Sequence, residues 1–263
     1  MLTLDVPRRR VRAAPPRPCP RPWSSERWCR YFRNRGPLLV IPWERGADLT
    51  AAERDLIAPS LREFQQGEGL EGGHFFRCAR AYAERADPAY AEAHRLFMAE
   101  EQRHARELGR FLALAEIAPL TERSLLNRLF CWCGSRGGLE LTVAIIAQVE
   151  VVAQVYYGAL WRATGSAVLR RLCAQILRDE KQHVRFQCER LAILRRDRHP
   201  DLQVLSHALD LLLFVGAGCC CWFGHRRVLR AGGVGLVRFW REAWARFRGT
   251  CRQKDPRGSA NRC

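Results

Sequence analysis

The sequence predicts an all-α protein, an antiparallel four-helix bundle with one long crossover, followed by apolar C-terminal helices. Residues 101–104 and 180–183 each place a glutamate three positions before a histidine, which brings both side chains onto one helical face. The same offset of 79 residues relates Glu71 to Glu150 and Asp87 to Ser166. A repeat that includes both ligand-type residues and helix-start residues predicts two related helical hairpins.

Composition predicts one folded domain with extensions. The chain has 263 residues, of which 48% are hydrophobic, and a net charge of +17. Lys181 and Lys254 are its only lysines, so arginine supplies nearly all the positive charge and sequence-specific nucleic-acid binding is not predicted. The twelve cysteines form no CxxC pair, which excludes a zinc ribbon. With no apolar signal segment after the N-terminal arginines, the predicted location is the reducing cytoplasm.

The N-terminal part of the chain is predicted to contain a disordered arm and then a helical hairpin. Residues 1–35 are rich in proline and arginine, and repeated proline prevents helix formation. Thr50 and Glu53 form a capping box for a first helix that is predicted to run to about Arg85. Asp87, followed by proline, is the predicted N-cap of a second helix that ends near Glu116.

The second hairpin follows a long connection over residues 117–137. A third helix is predicted over residues 139–163, and a fourth from about Ala167 to Arg196 with Ser166 as its N-cap. The bundle therefore spans residues 50–196. Two helical hairpins joined by one long crossover are the connectivity of ferritin-like bundles.

Residues 201–250 are predicted to form a C-terminal helical extension. The stretch 202–224 is strongly apolar, and a short aromatic helix follows near residues 237–247. The uncharged run from 211 to 224 is shorter than the roughly 20 residues that a membrane-spanning helix needs. We therefore interpret it as a fifth helix packed on the bundle. The alternatives are a peripheral membrane contact through 202–224, which would make the protein membrane-associated, or a homodimer contact.

Acidic and histidine residues in the two halves predict a di-metal site. Glu150 is the only charged residue between 141 and 160, and a buried carboxylate is costly unless a cation compensates it. In the first half Glu71 and Glu68 compete as the partner glutamate, and the 79-residue offset favours Glu71. The predicted metal ligands are Glu71, Glu101, His104, Glu150, Glu180 and His183, with Glu68 as the alternative or additional ligand.

Residues next to these ligands are candidates for orienting them. Glu100 and Asp179, also 79 apart, each precede a motif glutamate and could accept the N–H of the other half's histidine. Tyr157 follows Glu150 by nearly two turns and could lie near the site. Carboxylate and imidazole ligands suit two iron ions, or manganese, or a mixed manganese–iron pair.

The double Glu-x-x-His pattern with its partner glutamates, across residues 50–196, resembles the ferritin-like di-iron carboxylate superfamily. The segments 64–69 and 99–104 resemble bacterial ferritin-like domain proteins of no settled function. The superfamily resemblance implies a four-helix bundle with the metals at its centre. Residues 1–49 and 201–263 lie outside it.

Three functions remain open from the sequence. The first is a di-iron oxidoreductase that uses dioxygen or peroxide to oxidise or hydroxylate a small substrate. No NAD or flavin fingerprint is visible, so electrons would come from an electron-donor protein or from the substrate itself. The second is iron oxidation and storage of the bacterioferritin kind. The third is a metal-free helical binding module.

Overall fold

The structure, a computed structural model, describes residues 22–69 and 72–254, and these residues form helices with no strand. This confirms the all-α prediction. The α-helices of the described residues are α1 Ser25–Arg33, α2 Ala51–Glu68, α3 Gly73–Arg85, α4 Tyr90–Leu114, α5 Leu125–Ser135, α6 Leu139–Ala163, α7 Ala167–Leu194, α8 Pro200–Ala231 and α9 Leu236–Lys254. A short 3-10 helix, Trp43–Arg45, lies in the connection between α1 and α2.

Four helices, α2, α4, α6 and α7, surround the centre of the molecule. Helix α2 packs on α4, α6 packs on α7, and α4 also contacts α7. Helix α6 is buried along most of its length, as expected for a helix with almost no charged residues. The remaining helices cover this bundle: α1 on α4, α3 on α4 and α6, α8 on α6, and α9 on α7.

Two of the predicted helix starts carry the expected caps. The Thr50 hydroxyl accepts the Glu53 N–H at 3.2 Å, and the Glu53 carboxylate accepts the Thr50 N–H at 3.0 Å. The N–H of Gly165 and then that of Thr50 lower the pKa of Glu53. Ser166 caps α7 by accepting the Leu169 N–H at 3.2 Å. The Glu53 carboxylate therefore joins the start of α2 to the turn between α6 and α7.

We expect Thr50→Ala to lower the free energy of unfolding by about 1 kcal/mol, because one N–H at the start of α2 loses its acceptor. Urea denaturation would measure this loss. Thr50→Ser keeps the hydroxyl and is the matched control, with the denaturation midpoint close to that of the wild type. An equal loss in both variants would mean that the threonine methyl group, and not the cap, supplies the stability.

The first predicted helix is interrupted. Instead of continuing to Arg85, α2 ends at Glu68, and α3 begins at Gly73. Gly72 has φ = +40°, and a Cβ there would lie 2.9 Å from the Met98 side chain. Glycine is favoured where both a left-handed conformation and a close approach are required. The local backbone therefore overrides the helical periodicity at this point.

The predicted disordered arm contains a packed helix, α1, within its last residues. Trp28 is 1% exposed, and its ring N–H donates to Glu189 at 3.0 Å. Phe32 lies edge-on to Phe186 at 5.5 Å between ring centroids. These aromatic contacts bury enough apolar surface to order the segment despite its arginines. Residues 1–21 of the predicted arm lie outside the described residues.

The start of α4 and the crossover also differ from the prediction. Helix α4 begins at Tyr90, and Asp87 is not its N-cap. The Asp87 carboxylate instead accepts hydrogen bonds from Ser25 at 2.7 Å and Arg190 at 2.9 Å, which ties α1 and α7 together. The crossover, which shows little sustained periodicity, contains the helix α5 with Ser124 as its N-cap.

Two helices are long and apolar enough to cross a membrane by length and composition. Helix α6 is one, and 78% of its most apolar window is buried within the protein. Helix α8 is the other, and only 28% of its window is buried. The burial of α6 is that of a core helix, whereas α8 exposes most of an apolar segment at the protein surface.

Candidate metal centre

Two glutamates and two histidines meet at the centre of the bundle. Glu101 and His104 extend from α4, and Glu180 and His183 extend from α7. One ligand atom from each lies within 4.8 Å of the other three, and both histidines are fully buried. This group can hold a metal ion, and its composition is compatible with a di-iron site.

Both imidazole rings direct Nδ1 toward the carboxylates of the cluster. One oxygen of Glu180 lies 3.7 Å from Nδ1 of His104 and 3.7 Å from Nδ1 of His183. An oxygen of Glu101 lies 2.6 Å from Nδ1 of His183, but neither atom makes a hydrogen bond. The two Nδ1 atoms therefore converge on a shared carboxylate.

The opposite ring nitrogens are held by carboxylates from the facing helix. Nε2 of His104 lies 3.1 Å from Asp179, and Nε2 of His183 lies 2.9 Å from Glu100. An Nε2–H bond to a carboxylate fixes the ring orientation and leaves Nδ1 as the lone-pair donor. Each helix thus orients the histidine of the other helix.

A layer of arginines lies behind these carboxylates. Arg35 approaches Glu100 at 2.6 Å and Asp179 at 3.6 Å, and Arg103 donates to Asp179 at 2.6 Å. Gln175 also donates to Asp179 at 2.8 Å. Burial raises the pKa of Asp179, but the hydrogen bonds from His104, Gln175 and Arg103 outweigh it and leave the pKa lowered. Asp179 is therefore ionised and suited to accept a histidine N–H.

Sequence reasoning did not find these arginines. Arg103 lies inside the first motif, but its counterpart 79 residues later is Gln182, so the repeat gives no signal for it. Arg35 lies in a segment predicted to be a disordered arm. Only the packing of α1 on α4, which the isolated sequence pattern does not reveal, brings Arg35 to the site.

Glu150 is a buried carboxylate, 5% exposed. Within the described part of the chain, its oxygens make no hydrogen bond of regular geometry, although Gln187 lies close enough to interact with them. Burial, together with the negative charges of Glu180 and Glu101, raises its pKa well above the usual value. Its electrostatic coupling to these two residues places it beside the cluster.

Glu68, at the last position of α2, also lies against the cluster. Its carboxylate accepts a hydrogen bond from the Tyr157 hydroxyl at 2.6 Å, and its other oxygen lies 3.8 Å from Nδ1 of His104. Glu71, favoured by the 79-residue offset, lies outside the described residues. Among the described residues, Glu68 is the one that brings a carboxylate from α2 to this centre.

Without a bound metal ion, the cluster compensates its negative charges by retaining protons. Burial and the neighbouring carboxylates of Glu180 and Glu68 raise the pKa of Glu101 to about 8, although His183 opposes this shift. Burial disfavours the charged form of His104, but Asp179 and Glu68 outweigh it and raise the pKa to about 10. A metal cation can replace these protons and compensate the same negative charges.

The unpaired atoms fit a pair of divalent ions. The buried atoms without a hydrogen-bond partner include both Nδ1 atoms and oxygens of three carboxylates, listed as follows: Glu101 Oε1, His104 Nδ1, Glu150 Oε1 and Oε2, Glu180 Oε2 and His183 Nδ1. Unpaired donors of this kind are costly in a protein core unless a ligand satisfies them. With Glu68, four carboxylates would balance the charge of two divalent cations. The donor set therefore fits the metal pair that the sequence predicts.

We expect Glu100→Gln and Asp179→Asn to weaken metal binding by about 10- to 100-fold each, because each leaves one histidine less firmly oriented. Titration with Fe(II) or Mn(II) under anaerobic conditions would measure the affinity. Glu107→Gln on α4 changes a carboxylate that pairs with Arg103 but touches neither histidine, so it is the matched control. Wild-type affinity in Glu100→Gln and Asp179→Asn would contradict the orienting role.

Comparisons with known proteins give no relative for this chain: no protein-family model, no curated protein and no solved structure matches it. Its function is therefore inferred from the geometry of the site.

Proposed function

We propose that the protein is a di-iron carboxylate oxidoreductase that uses dioxygen or peroxide to oxidise or hydroxylate a small substrate. The observation that supports this most is the Glu180 carboxylate between two inward-facing Nδ1 atoms, at 3.7 Å from each. Glu180 and the two histidines would together hold the metal ions. An iron pair held there would supply electrons for the reduction of dioxygen.

The protein residues have distinct roles in this proposal. His104 and His183 each provide a nitrogen ligand, and Glu101 and Glu150 provide carboxylates beside the shared Glu180. Phe97 lies 5.0 Å from His183 between ring centroids, and this aromatic contact together with the burial of both histidines would limit the access of bulk water and side reactions. Manganese, or a manganese–iron pair, fits the same donors.

The hydrogen bond from Tyr157 to Glu68 gives that carboxylate a defined orientation. Tyr157 is fully buried and donates to Glu68 at 2.6 Å. Glu68 is the last residue of α2. We propose that Glu68 is a ligand from the first helix and that Tyr157 holds it in place.

Metal analysis tests the proposal. The full chain, loaded with Fe(II) under anaerobic conditions and dialysed, should retain about two irons per chain, and it should consume dioxygen when air is admitted. Glu101→Ala and Glu180→Ala should each lose both ions, because Glu180 lies 3.7 Å from both histidines and Glu101 contacts His183 within the same four-residue cluster. Glu84→Ala, an exposed glutamate on α3, should retain them. One metal surviving in both ligand variants would refute a shared di-metal site.

The size of the purified particle separates oxidation of a substrate from iron storage. A large closed cage that accumulates many irons per chain would favour storage. A monomer or small oligomer that stops at about two irons and still consumes dioxygen would favour the oxidoreductase. A protein that retains no iron and keeps its stability in Glu150→Ala would favour a metal-free binding module.

A further inference from the structure

Helix α8 differs from an ordinary surface helix because it exposes large apolar side chains on its outer face. Its buried stripe includes three polar side chains, Ser206, Asp210 and His225. Its opposite face exposes large apolar side chains: Leu205 is 65%, Leu212 70% and Phe223 67% exposed. A water-exposed helix normally directs its polar residues outward. The outer face of α8 therefore lacks the surface chemistry that water favours.

The exposed residues form one continuous stripe. At 100° per residue, positions 205, 212 and 223 lie within about 20° of one another around the helix. The stripe extends about 27 Å from Leu205 to Phe223 at 1.5 Å per residue. Trp244 of α9 is 43% exposed and lies 6.0 Å between ring centroids from Phe214, which is on the opposite, buried side of α8.

A group of arginines ends the stripe. Arg226, Arg227 and Arg230 are exposed, and they fall within about 60° of the stripe that contains Phe223. Neither Arg226 nor Arg227 makes an ion pair with any residue that the structure describes. Arg241 and Arg248 of α9 are also exposed. The surface is therefore apolar along its length and positively charged at one end.

The inner face of α8 argues against a membrane-spanning arrangement. Asp210 is fully buried and forms two hydrogen bonds with Arg195 of the segment after α7, at 2.8 and 3.1 Å. Helix α8 packs along α6, and its Ser60–His225 contact at 2.8 Å joins it to α2. A helix attached to the bundle along one side can contact lipid only with the other side.

We infer that this α8 stripe is a docking surface for an anionic lipid bilayer, with α8 lying parallel to the membrane plane. Apolar side chains enter the boundary between head groups and acyl chains, while the arginines bind the head-group phosphates. The inference goes beyond the proposed function, because the metal site does not depend on the exposed face of α8.

A second copy of the chain is a poorer occupant for the same surface. In a parallel pairing, the arginine groups of the two copies would face each other. In an antiparallel pairing, they would lie beside the N-terminal turns of α8, where the exposed acid is Asp201, already 3.3 Å from His199. Either pairing leaves most of the positive charge uncompensated, whereas anionic lipid complements both parts of the stripe.

Vesicle flotation tests the inference with the full chain. The protein should bind vesicles of phosphatidylcholine mixed with phosphatidylglycerol, and it should bind phosphatidylcholine alone more weakly. The triple variant Leu205→Ser, Leu212→Ser and Phe223→Ser should weaken binding by more than about tenfold, because three apolar side chains no longer enter the bilayer. Leu125→Ser on α5, which is 80% exposed, is the matched control and should bind as the wild type does.

Charge reversal and particle size complete the test. Arg226→Glu with Arg227→Glu should weaken binding to anionic vesicles by at least about fivefold for each arginine removed, and added salt should reduce the difference. Unchanged helical circular dichroism and iron content would show that the variants fold. The inference is overturned if the triple variant still binds anionic vesicles, or if the wild type ignores them and is a dimer that the triple variant dissociates.

Discussion

Glu150→Leu is expected to stabilise the metal-free protein, by about 1–3 kcal/mol in the free energy of unfolding. The wild-type carboxylate is buried near other acids, its oxygens make no hydrogen bond of regular geometry with a described residue, and Gln187 compensates its burial only in part. A leucine of similar volume removes that desolvation cost and adds apolar contacts with the surrounding core. Urea denaturation in the presence of a chelator would measure the difference.

With bound metal, the wild type should be more stable than Glu150→Leu. The wild type at an iron concentration about 100 times its dissociation constant gains about 2.7 kcal/mol, because the ion binds only the folded state. Glu150→Leu lacks one ligand and should gain far less. The comparison of the two proteins with and without iron therefore tests whether Glu150 is retained for metal binding at a cost in stability.

Glu150→Gln is the matched control, since it keeps the shape and polarity of the side chain but cannot be ionised. It should show a smaller gain than leucine in the metal-free protein, because its amide remains without a partner. If Glu150→Leu instead destabilised the metal-free protein by several kcal/mol, the carboxylate would have a structural role in the core. The metal interpretation of Glu150 would then fail.

Features encoded by local spacing could be predicted from the sequence. The limits of α6 follow from its uninterrupted apolar run, and the caps at Thr50 and Ser166 follow from residue types that accept backbone N–H groups. The convergence of residues 101, 104, 180 and 183 follows from helical geometry once two hairpins are paired. Each of these depends on contacts within a helix or between neighbouring helices.

The interruption after Glu68 could not be predicted with the same rules. Helical periodicity continues from α2 into α3, and glycine is tolerated within helices at a cost of about 1 kcal/mol. At Gly72 the backbone is left-handed, with φ = +40°, a conformation that a continuous right-handed helix does not contain. The 79-residue offset favoured Glu71 on the assumption that one continuous helix runs to Arg85. That assumption is wrong, and Glu71 itself lies outside the described residues.

Arg35 and α8 show that contacts formed only in the assembled bundle cannot be predicted from the sequence pattern. Composition describes residues 1–35 as an arm, but Trp28 and Phe32 find buried positions that only the assembled bundle provides. For α8 the sequence predicts an apolar helix packed on the bundle, and it does pack on α6. Its average hydrophobicity does not reveal that large apolar side chains remain on the outer face, because the residues that the bundle covers are known only once α8 is packed.

Asp210→Ala is expected to lower the free energy of unfolding by about 3–5 kcal/mol. Asp210 is 0% exposed and binds Arg195, which is 8% exposed, through two hydrogen bonds. Removal of the acid leaves a buried guanidinium with only Glu140, at 2.8 Å, as its acidic partner. Glu140 compensates the charge of Arg195 only in part, because Glu140 is 29% exposed and also pairs with Arg198, so the loss should approach that of breaking a buried pair. Urea denaturation would measure the loss.

The double variant Arg195→Met with Asp210→Leu is the matched control. It removes both charges and should recover most of the stability lost in Asp210→Ala, because apolar residues of similar volume replace the pair without leaving a buried ion. Since the pair holds the polar stripe of α8 against the bundle, the single variant should also make α8 more sensitive to native-state proteolysis. A loss below about 1 kcal/mol in Asp210→Ala would show that the pair behaves as an exposed one, and the outward orientation of Leu205 and Leu212 would then need another cause.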